Sequence, residues 1–317
     1  MNAPIPVEVL LLTNLHDFPT DRICHELQQL GVRYARLNRE NLAEARIRLF
    51  PQEPRLEIRL GGHTWIVDGG LKSVWWRQPT FLRNTPHQPL SLDDQLERSQ
   101  WPALLRGLML FDDARWLNDP QATYRAESKP FQLRQAHKYG FDTPATIITN
   151  DPDAPIVERI GNRVAVKSID TVLLRENDRQ FFAYTQLLDW IDCATPSLTS
   201  APVMVQEVLA PKLDLRVTVL GNRAWAVSIQ ANNAGIDGDW RLRKKDHLAY
   251  PTFELPIEVE QRCIAFVRDL GLVYGAIDLA LCGDRFVFIE VNPTGEWGWL
   301  DNQQRPIAQA IAEALRG

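Results

Sequence analysis

The chain has 317 residues, of which 45% are apolar and 9% aromatic, so it is long enough for about two domains with their own cores, and intrinsic disorder is excluded as its main state. Its 35 Lys and Arg oppose 40 Asp and Glu, a formal charge of -5, so it lacks the overall positive charge typical of nucleic-acid binding. Residues 1–7 contain no Lys or Arg, and the first apolar run is interrupted at Glu8. We therefore expect neither a secretory signal nor a membrane partner, and the predicted compartment is the cytoplasm.

The first third of the chain predicts a β-α-β unit with a parallel sheet. Residues 7–13 are typical of a buried strand, residues 20–30 of a helix ended by Gly31, and residues 32–37 of the next strand. Three further elements are predicted: a hairpin over residues 55–68, a strand over 73–79 and an amphipathic helix over 90–111.

The pattern changes after Asn118-Asp119-Pro120, which marks a first boundary. The middle region predicts one helix over residues 121–139, strands over 145–149 and 163–168, a strand passing to helix over 180–190, and a polar linker over 193–202. Three strands follow, over residues 203–209, 214–220 and 223–230. The predicted domains are therefore residues 1–117, 118–202 and 203–317.

Common catalytic motifs are missing from the sequence. It contains no phosphate loop of the Walker type, no G-x-G-x-x-G, no H-E-x-x-H and no G-x-S-x-G. The four cysteines form no paired motif and are expected to be free thiols, and the six histidines show no ligand spacing.

The most informative segment is residues 274–299, YGAIDLALCGDRFVFIEVNPTGEWGW, which predicts two antiparallel strands and a loop. Glu290 and Asn292 are two apart on one strand and so project to the same face. A two-residue turn would place Asp278 opposite Ile289, whereas an odd-numbered connection or a bulge would place it opposite Phe288 and leave one face apolar. We favour the second register, which gathers Asp278, Glu290 and Asn292 in one patch.

Carboxylate and amide oxygens of this kind suit Mg²⁺ or Mn²⁺ better than zinc. The alternative is that the three side chains form the solvated face of an antiparallel sheet.

The motifs occur in an order that resembles the ATP-grasp ligases over residues 118–317. They comprise Lys167 in VAVKS, Gln206-Glu207, Asp214 to Arg216, Gly238 to Arg241, and Asp278 followed by EVNP. The segments NPTGEWGW, VWWRQP and the N-D-P to S-K-P helix are similar to the MvdC/MvdD type of peptide maturases, which make graspetides, the class that includes microviridins. The resemblance implies an α/β fold: an N-terminal β-α-β pre-ATP-grasp domain and two α+β lobes that enclose ATP.

The resemblance also implies a role for each matching residue. Lys129 and Lys167 would contact the phosphates, Glu207 with the Val208 and Leu209 backbone the adenine, Asp214 the ribose side, Arg241 the transferred phosphoryl group and Arg216 the acyl phosphate or its substrate. Asp278, Glu290 and Asn292 would hold Mg²⁺, as two ions, with Mn²⁺ as a substitute. Such an assembly fits phosphoryl transfer, which depends on positioning and charge neutralisation.

Each assignment has a structural alternative. Lys167 is also typical of an edge strand, Lys129 of a helix start, and the Asp214/Arg216 spacing of a cross-strand polar face.

The basic run 241–245 predicts a solvated loop. Trp297 and Trp299 are expected in the core or beside an acceptor pocket. Residues 168–179 lack the glycine-rich loop of many ATP-grasp enzymes, which leaves Arg175 and Arg179 as candidates to cover the phosphates.

The predicted function is an ATP- and Mg²⁺-dependent ligase that phosphorylates Asp or Glu side chains of a precursor peptide and closes ω-ester or ω-amide rings. Its partner would be a peptide with a leader and a core containing Asp or Glu plus Ser, Thr or Lys, and the enzyme would form a homodimer. The alternatives are a ligase that joins an amino acid to a small molecule or protein C-terminus, and a non-catalytic nucleotide- or peptide-binding protein.

Overall fold

The computed structural model describes residues 3–77, 90–170, 173–176, 179–182 and 184–317. The segment 78–89, which includes the end of the predicted strand 73–79, lies outside the described residues.

The N-terminal third forms two four-stranded sheets, and the predicted parallel β-α-β opening is confirmed. The elements are β1 (Ile5–Pro6), β2 (Val9–Thr13), α1 (Phe18–Gln29), β3 (Tyr34–Asn38), β4 (Arg46–Phe50), β5 (Arg55–Leu60), β6 (His63–Val67), β7 (Ser73–Trp76), α2 (Leu92–Gly107) and β8 (Arg115–Leu117). One sheet has the order β3-β2-β7-β8 with every pair parallel, and the other has the order β1-β6-β5-β4. The hairpin β5-β6 turns at Gly61-Gly62, both of which have positive φ, a conformation that glycine adopts without strain.

The central region forms an antiparallel sheet of order β13-β10-β14-β9 and a separate hairpin, β11-β12. Its elements are α3 (Pro120–Ala126), α4 (Lys129–Lys138), β9 (Thr146–Thr149), α5 (Ile156–Arg159), β10 (Arg163–Lys167), β11 (Leu173–Glu176), β12 (Arg179–Phe182), β13 (Gln186–Asp189), α6 (Trp190–Cys193) and β14 (Val203–Glu207).

The single helix predicted over residues 121–139 is wrong in one respect, because two helices meet at residues 127–128. Pro130 lies in the first turn of α4, where its missing N–H costs no hydrogen bond, so a new helix begins there. Gln132 of α4 donates to the carbonyl of Val291 and accepts from its N–H. The break therefore lets α4 attach to the strand that contains two of the three predicted metal ligands, Glu290 and Asn292.

The C-terminal region forms an antiparallel sheet of order β16-β15-β17-β18. Its elements are β15 (Leu213–Leu220), β16 (Arg223–Ile229), α7 (Ile257–Asp269), β17 (Tyr274–Cys282), β18 (Arg285–Asn292) and α8 (Ile307–Arg316). The predicted hairpin at Gly221-Asn222 is confirmed.

The register of β17 and β18 differs from the prediction. Gly283-Asp284 forms a two-residue turn, and a bulge beyond the Leu279/Phe288 pair places Asp278 opposite Glu290 rather than Phe288. The expected bulge exists, but its extra residue is Ile289 on β18, so the predicted partner of Asp278 is wrong. Phe288 and Val291 join Ile277 and Leu279 in the core, whereas Ile289 and Glu290 both reach the cavity on the other side.

Four cores hold these elements together. One lies within the N-terminal sheets, one under the C-terminal sheet against α7, and a smaller one under the central sheet. The fourth packs β2, α1 and Trp75 of the N-terminal region against Tyr274, Trp297 and helix α8 of the C-terminal region. Within the described part of the chain no helix is long and apolar enough to cross a membrane, and the four cysteines are free.

Candidate functional site

A cavity of about 240 Å³ lies between the central sheet and the C-terminal sheet. Strands β10 and β14 line one side, and strands β15, β17 and β18 line the other. The predicted site residues that line it are Lys129, Lys167, Glu207, Leu209, Asp214, Arg216, Arg241, Asp278, Glu290 and Asn292. Val208 is the predicted residue that is absent from this wall. Residues separated by up to 163 positions in the sequence therefore meet in one place.

Asp278 and Glu290, the acidic pair, face each other across β17 and β18. The Nδ2 atom of Asn292 lies 3.4 Å from an oxygen of each carboxylate. Arg216 Nε lies 2.7 Å from Asp278 Oδ1, but the two atoms do not have the alignment of a hydrogen bond, and both are buried without a hydrogen-bond partner. Asp278 Oδ1 is thus a buried carboxylate oxygen for which the protein supplies no hydrogen bond.

The two carboxyl groups have opposite pKa shifts. Burial raises the pKa of Asp278 to about 6, although Arg216 acts in the other direction. Burial alone would also raise the pKa of Glu290, but the charges of Lys129 and Lys167 outweigh it and lower that pKa. Glu290 is therefore held as an anion by two lysines.

The acidic pair and Asn292 fit a hard divalent cation. Two carboxylates and one amide are too few for a closed protein site, and no group of three or more His, Cys, Asp or Glu residues suited to a metal occurs in the described ranges. Mg²⁺ commonly binds in this way, through one or two carboxylates, with phosphate and water oxygens completing its shell. Rotation of the Asn292 amide would present Oδ1 to the ion.

The two predicted phosphate ligands, Lys129 and Lys167, lie close to Glu290 of the acidic pair. Lys129 Nζ, at the start of α4, lies 3.4 Å from Glu290 Oε2 and donates to the carbonyl of Ser168. Lys167, at the end of β10, is partly buried, and desolvation lowers its pKa to about 8 while Glu290 acts to raise it. A phosphate group between these ammonium groups and a cation on the acidic pair would be neutralised on both sides.

The residues predicted to contact the nucleoside line the same cavity. Glu207 is the last residue of β14, Leu209 follows that strand, and Asp214 is the second residue of β15. Asp214 pairs closely with Lys212, a contact that the sequence analysis missed although the two residues are two apart on one face. Burial raises the pKa of Asp214, and Lys212 acts to lower it.

Arg241 is positioned by a carboxylate that the sequence analysis did not single out. Its Nε and Nη2 atoms donate to the two oxygens of Asp239 at 2.8 and 2.7 Å, and this bidentate pairing raises the pKa of Arg241. Asp239 is buried and also accepts from the Thr185 N–H. The remainder of the basic run, residues 242–245, is exposed, as predicted for a solvated loop.

A second cavity of about 250 Å³ adjoins the first. The two share Arg216, Arg241, Glu290 and Asn292, and the second is completed by Arg77, Thr294, Gly295 and Glu296. Arg77 and Glu296 stand in the motifs VWWRQP and NPTGEW, but their pattern alone did not indicate their place in the site.

The two tryptophans of the last loop have different positions. Trp297 is fully buried in the core shared by the N-terminal region and α8. Trp299 is partly exposed, its ring centroid lies 4.4 Å from that of Tyr250, and the Arg216 guanidinium carbon is 5.9 Å from its ring. Trp299 thus contacts Arg216, but neither tryptophan is among the described residues that line the two cavities. The side chains of Arg175 and Arg179, candidates to cover the phosphates, lie outside the described residues.

Comparisons with known proteins identify the fold. No family model and no curated protein matches the chain. A RiPP-associated ATP-grasp ligase from Chryseobacterium gregarium, in complex with ADP and a leader and core peptide, is 24% identical with a TM-score of 0.83, covering 98% of this chain and 96% of that chain. The macrocyclase MdnC from Microcystis aeruginosa MRC, bound with precursor peptide MdnA, is 22% identical with a TM-score of 0.82, covering 97% and 98%. The macrocyclase MdnB from the same organism is 26% identical with a TM-score of 0.77, covering 98% and 99%.

The chain therefore has the ATP-grasp fold, as predicted. The resemblance to the graspetide maturases is also confirmed, and it extends over the N-terminal third as well as over residues 118–317.

Proposed function

We propose that this chain, which shares the fold of the RiPP-associated ATP-grasp ligases, is an ADP-forming ligase that closes rings in a ribosomally made precursor peptide. The observation that carries the proposal is the convergence of Lys129, Lys167, Arg216 and Arg241 on the acidic pair in one cavity between two sheets. Four cations around two carboxylates provide the charge neutralisation that phosphoryl transfer requires.

The first step is phosphorylation of an Asp or Glu side chain of the peptide. Its carboxylate oxygen forms a bond to the γ-phosphorus of ATP while the bond to ADP breaks. Lys129 and Lys167 hold the phosphates, Arg241 contacts the transferred group, and Arg216 orients the carboxylate. Glu207 and Leu209 contact the adenine and Asp214 the ribose side. Mg²⁺, held as two ions by Asp278, Glu290 and Asn292 and replaceable by Mn²⁺, would neutralise charge on the phosphates.

The second step joins the activated carboxyl group to a Ser or Thr hydroxyl or a Lys amine of the same peptide. The nucleophile forms an ester or amide bond to the acyl carbon, and inorganic phosphate leaves with the electron pair of the broken bond. Holding both groups of one peptide in the adjoining cavities makes this step effectively unimolecular.

The C. gregarium ligase in complex with leader and core peptide, and MdnC with MdnA, support a peptide substrate with a leader. We extend that partner to this chain and expect the reaction in the cytoplasm, where ATP and newly made peptide coexist, with the enzyme as a homodimer.

The test uses the precursor peptide encoded beside the gene, incubated with the enzyme, ATP and Mg²⁺ and followed by intact mass. Each ring should remove one water, about 18 Da, because acyl transfer condenses two side chains. Glu290→Gln should abolish the mass loss, whereas Glu97→Gln, at an exposed site on α2, should leave it unchanged. ATP hydrolysis with an unchanged peptide would overturn the proposal in favour of another acceptor, and absence of ATP turnover would indicate a binding protein.

A further inference from the structure

Glu296 lies four residues beyond Asn292, in the loop that follows β18, and its carboxylate is held in place by two contacts. Arg77 Nη2 donates to Oε2 at 3.1 Å, and the Gly298 N–H donates to Oε1 at 3.1 Å. The side chain is nevertheless 51% exposed, so the carboxylate is fixed in orientation but still open to a substrate. Neither Arg77 nor Gly298 is a residue that the proposed function assigns to ATP or to the metal.

Arg77 couples this carboxylate to the N-terminal region. The Arg77 side chain is buried, its Nη1 atom donates to the carbonyls of Thr294 and Gly295, and its Nε lies 3.5 Å from Asp17 Oδ1. The loop therefore has a defined conformation, and the position of Glu296 relative to the acidic pair is set by the fold.

The second cavity requires a proton acceptor if a hydroxyl or amine is to react there. Among the described residues that line it, three are arginines, which do not lose their proton in proteins. Asn292 and Thr294 contribute neutral groups that are poor bases, and Glu290 belongs to the acidic pair that fits the metal. Glu296 is then the one carboxylate of this wall that the metal site does not use, and no histidine lines either cavity in the described part of the chain.

We propose that Glu296 binds the attacking hydroxyl or ammonium group of the peptide and accepts its proton during ring closure. This inference rests on the proposed function, because it concerns the second step of that reaction. The nucleophile's oxygen or nitrogen forms the bond to the acyl carbon, phosphate leaves with the electrons of the broken C–O bond, and the proton passes to the Glu296 carboxylate. A lysine ammonium loses one proton to Glu296 before it attacks, and the second proton leaves on the departing phosphate as the amide forms.

The experiment separates the two steps. Wild type and Glu296→Gln are each incubated with ATP, Mg²⁺ and the precursor peptide encoded beside the gene, with and without hydroxylamine. Hydroxylamine is a strong nucleophile without help from a base and converts the acyl phosphate into a hydroxamate. The amide oxygen introduced by Glu296→Gln can accept from Arg77 or from the Gly298 N–H but not from both, so the hydroxamate yield also reports whether the loop keeps its conformation, and Glu97→Gln is the matched control.

We expect Glu296→Gln to form hydroxamate and release ADP at the wild-type rate but to close rings about 100-fold more slowly, the size of a general-base effect. Ring closure at the wild-type rate in Glu296→Gln would overturn the assignment. An equal loss of hydroxamate and rings would also overturn it, since Glu296 would then act on the first step or on the loop. If wild type forms neither ADP nor hydroxamate, the proposed function itself fails.

Peptides in which the core nucleophiles are all Thr or all Lys distinguish the two sources of the proton. A defect of Glu296→Gln with both peptides indicates a general proton acceptor. A defect with one peptide alone restricts the role of Glu296 to that nucleophile and identifies the bond as ester or amide.

Discussion

The acidic pair shares one face of a sheet, yet its two carboxyl groups experience different electrostatic environments. Glu290 faces Lys129 and Lys167, which keep it ionised, whereas the first cation near Asp278 is Arg216, which does not outweigh the effect of burial. Keeping Asp278 ionised in this buried position lowers the stability of the folded protein, and a cation bound to the acidic pair would offset that loss.

Asp278→Asn is expected to stabilise the metal-free protein at neutral pH while it abolishes Mg²⁺-dependent activity. The pKa of Asp278 rises from 3.8 to about 6 on folding, so the stability associated with the protonated form is fully present below pH 3.8 and is lost as the pH rises through about 6. The amide of the Asp278→Asn variant does not ionise, so the variant avoids this loss of stability. In EDTA the free energy of unfolding of Asp278→Asn should exceed that of wild type by about 1 to 3 kcal/mol at pH 7.

Urea unfolding at several pH values measures this difference, and most of it should disappear by about pH 4, where Asp278 is protonated in the folded protein and begins to be protonated in the unfolded chain. A pH-independent difference, or a variant less stable than wild type at pH 7, would contradict the assigned pKa shift.

At the scale of elements, the loop after β18 is specified by close contacts. A Cβ on Gly295 would overlap Ala276 on β17 and approach the Asn292 carbonyl at 3.1 Å, and a Cβ on Gly298 would overlap Pro19 of α1. Glycine at both positions lets the loop pass between the strands of the acidic pair and the N-terminal helix. The bulge at Ile289 acts similarly on β18, because it turns Glu290 toward the cavity without disturbing the core pairs on either side.

Gly295→Ala is therefore expected to lower the free energy of unfolding by about 1 to 3 kcal/mol through overpacking, and to reduce ring closure because Asn292 and Glu296 shift. Thermal unfolding and the peptide mass assay measure the two effects.

Gly107→Ala is the matched control. Gly107 ends α2 with helical dihedrals, and no atom lies within 4 Å of the place that an added methyl group would take, so alanine there should raise stability by about 0.5 to 1 kcal/mol. Equal effects of the two substitutions would show that the space around Gly295 is not limiting.

Across the whole molecule, the N-terminal and C-terminal regions share one core, while the central sheet has its own. Trp75 is buried against Tyr274 with ring centroids 5.7 Å apart, and Ser73 donates to the Leu315 carbonyl at the end of α8. Val164 lies instead in the small core beneath the central sheet. Asn118 reinforces the shared core with hydrogen bonds to Tyr274 and to the Pro293 carbonyl.

Trp75→Ala and Val164→Ala should consequently unfold different parts of the protein. Trp75→Ala should cost about 3 to 5 kcal/mol and accelerate amide exchange both in β2 and β7 and in α8 and β17. Val164→Ala should cost about 2 kcal/mol and accelerate exchange mainly in β9, β10 and β14. Hydrogen exchange followed by mass spectrometry resolves these segments. Acceleration confined to the N-terminal strands in Trp75→Ala would contradict a shared core.

Local patterns were enough to predict most of the elements and part of the candidate site, whereas the roles of Lys129, Lys167, Glu207 and Arg241 came from the resemblance to the ATP-grasp ligases. Side chains two apart on a strand share a face, so Glu290 with Asn292, and Asp214 with Arg216, could be grouped without coordinates. The two hairpins at Gly61-Gly62 and Gly221-Asn222 were predictable for the same reason, because turn geometry depends on adjacent residues.

Contacts between distant segments were decided only by the tertiary structure. The partner of Asp278 depends on one extra residue in β18, which shifts the register and is favoured by packing on the opposite face. The places of Arg77 and Glu296 depend on how the N-terminal sheet lies against a loop more than 200 residues later, where Arg77 binds Gly295 over a separation of 218 positions. The burial and the electrostatic environment of such residues depend on neighbours that are distant in the sequence and meet only on folding. The spacing of residues along the chain therefore does not predict them.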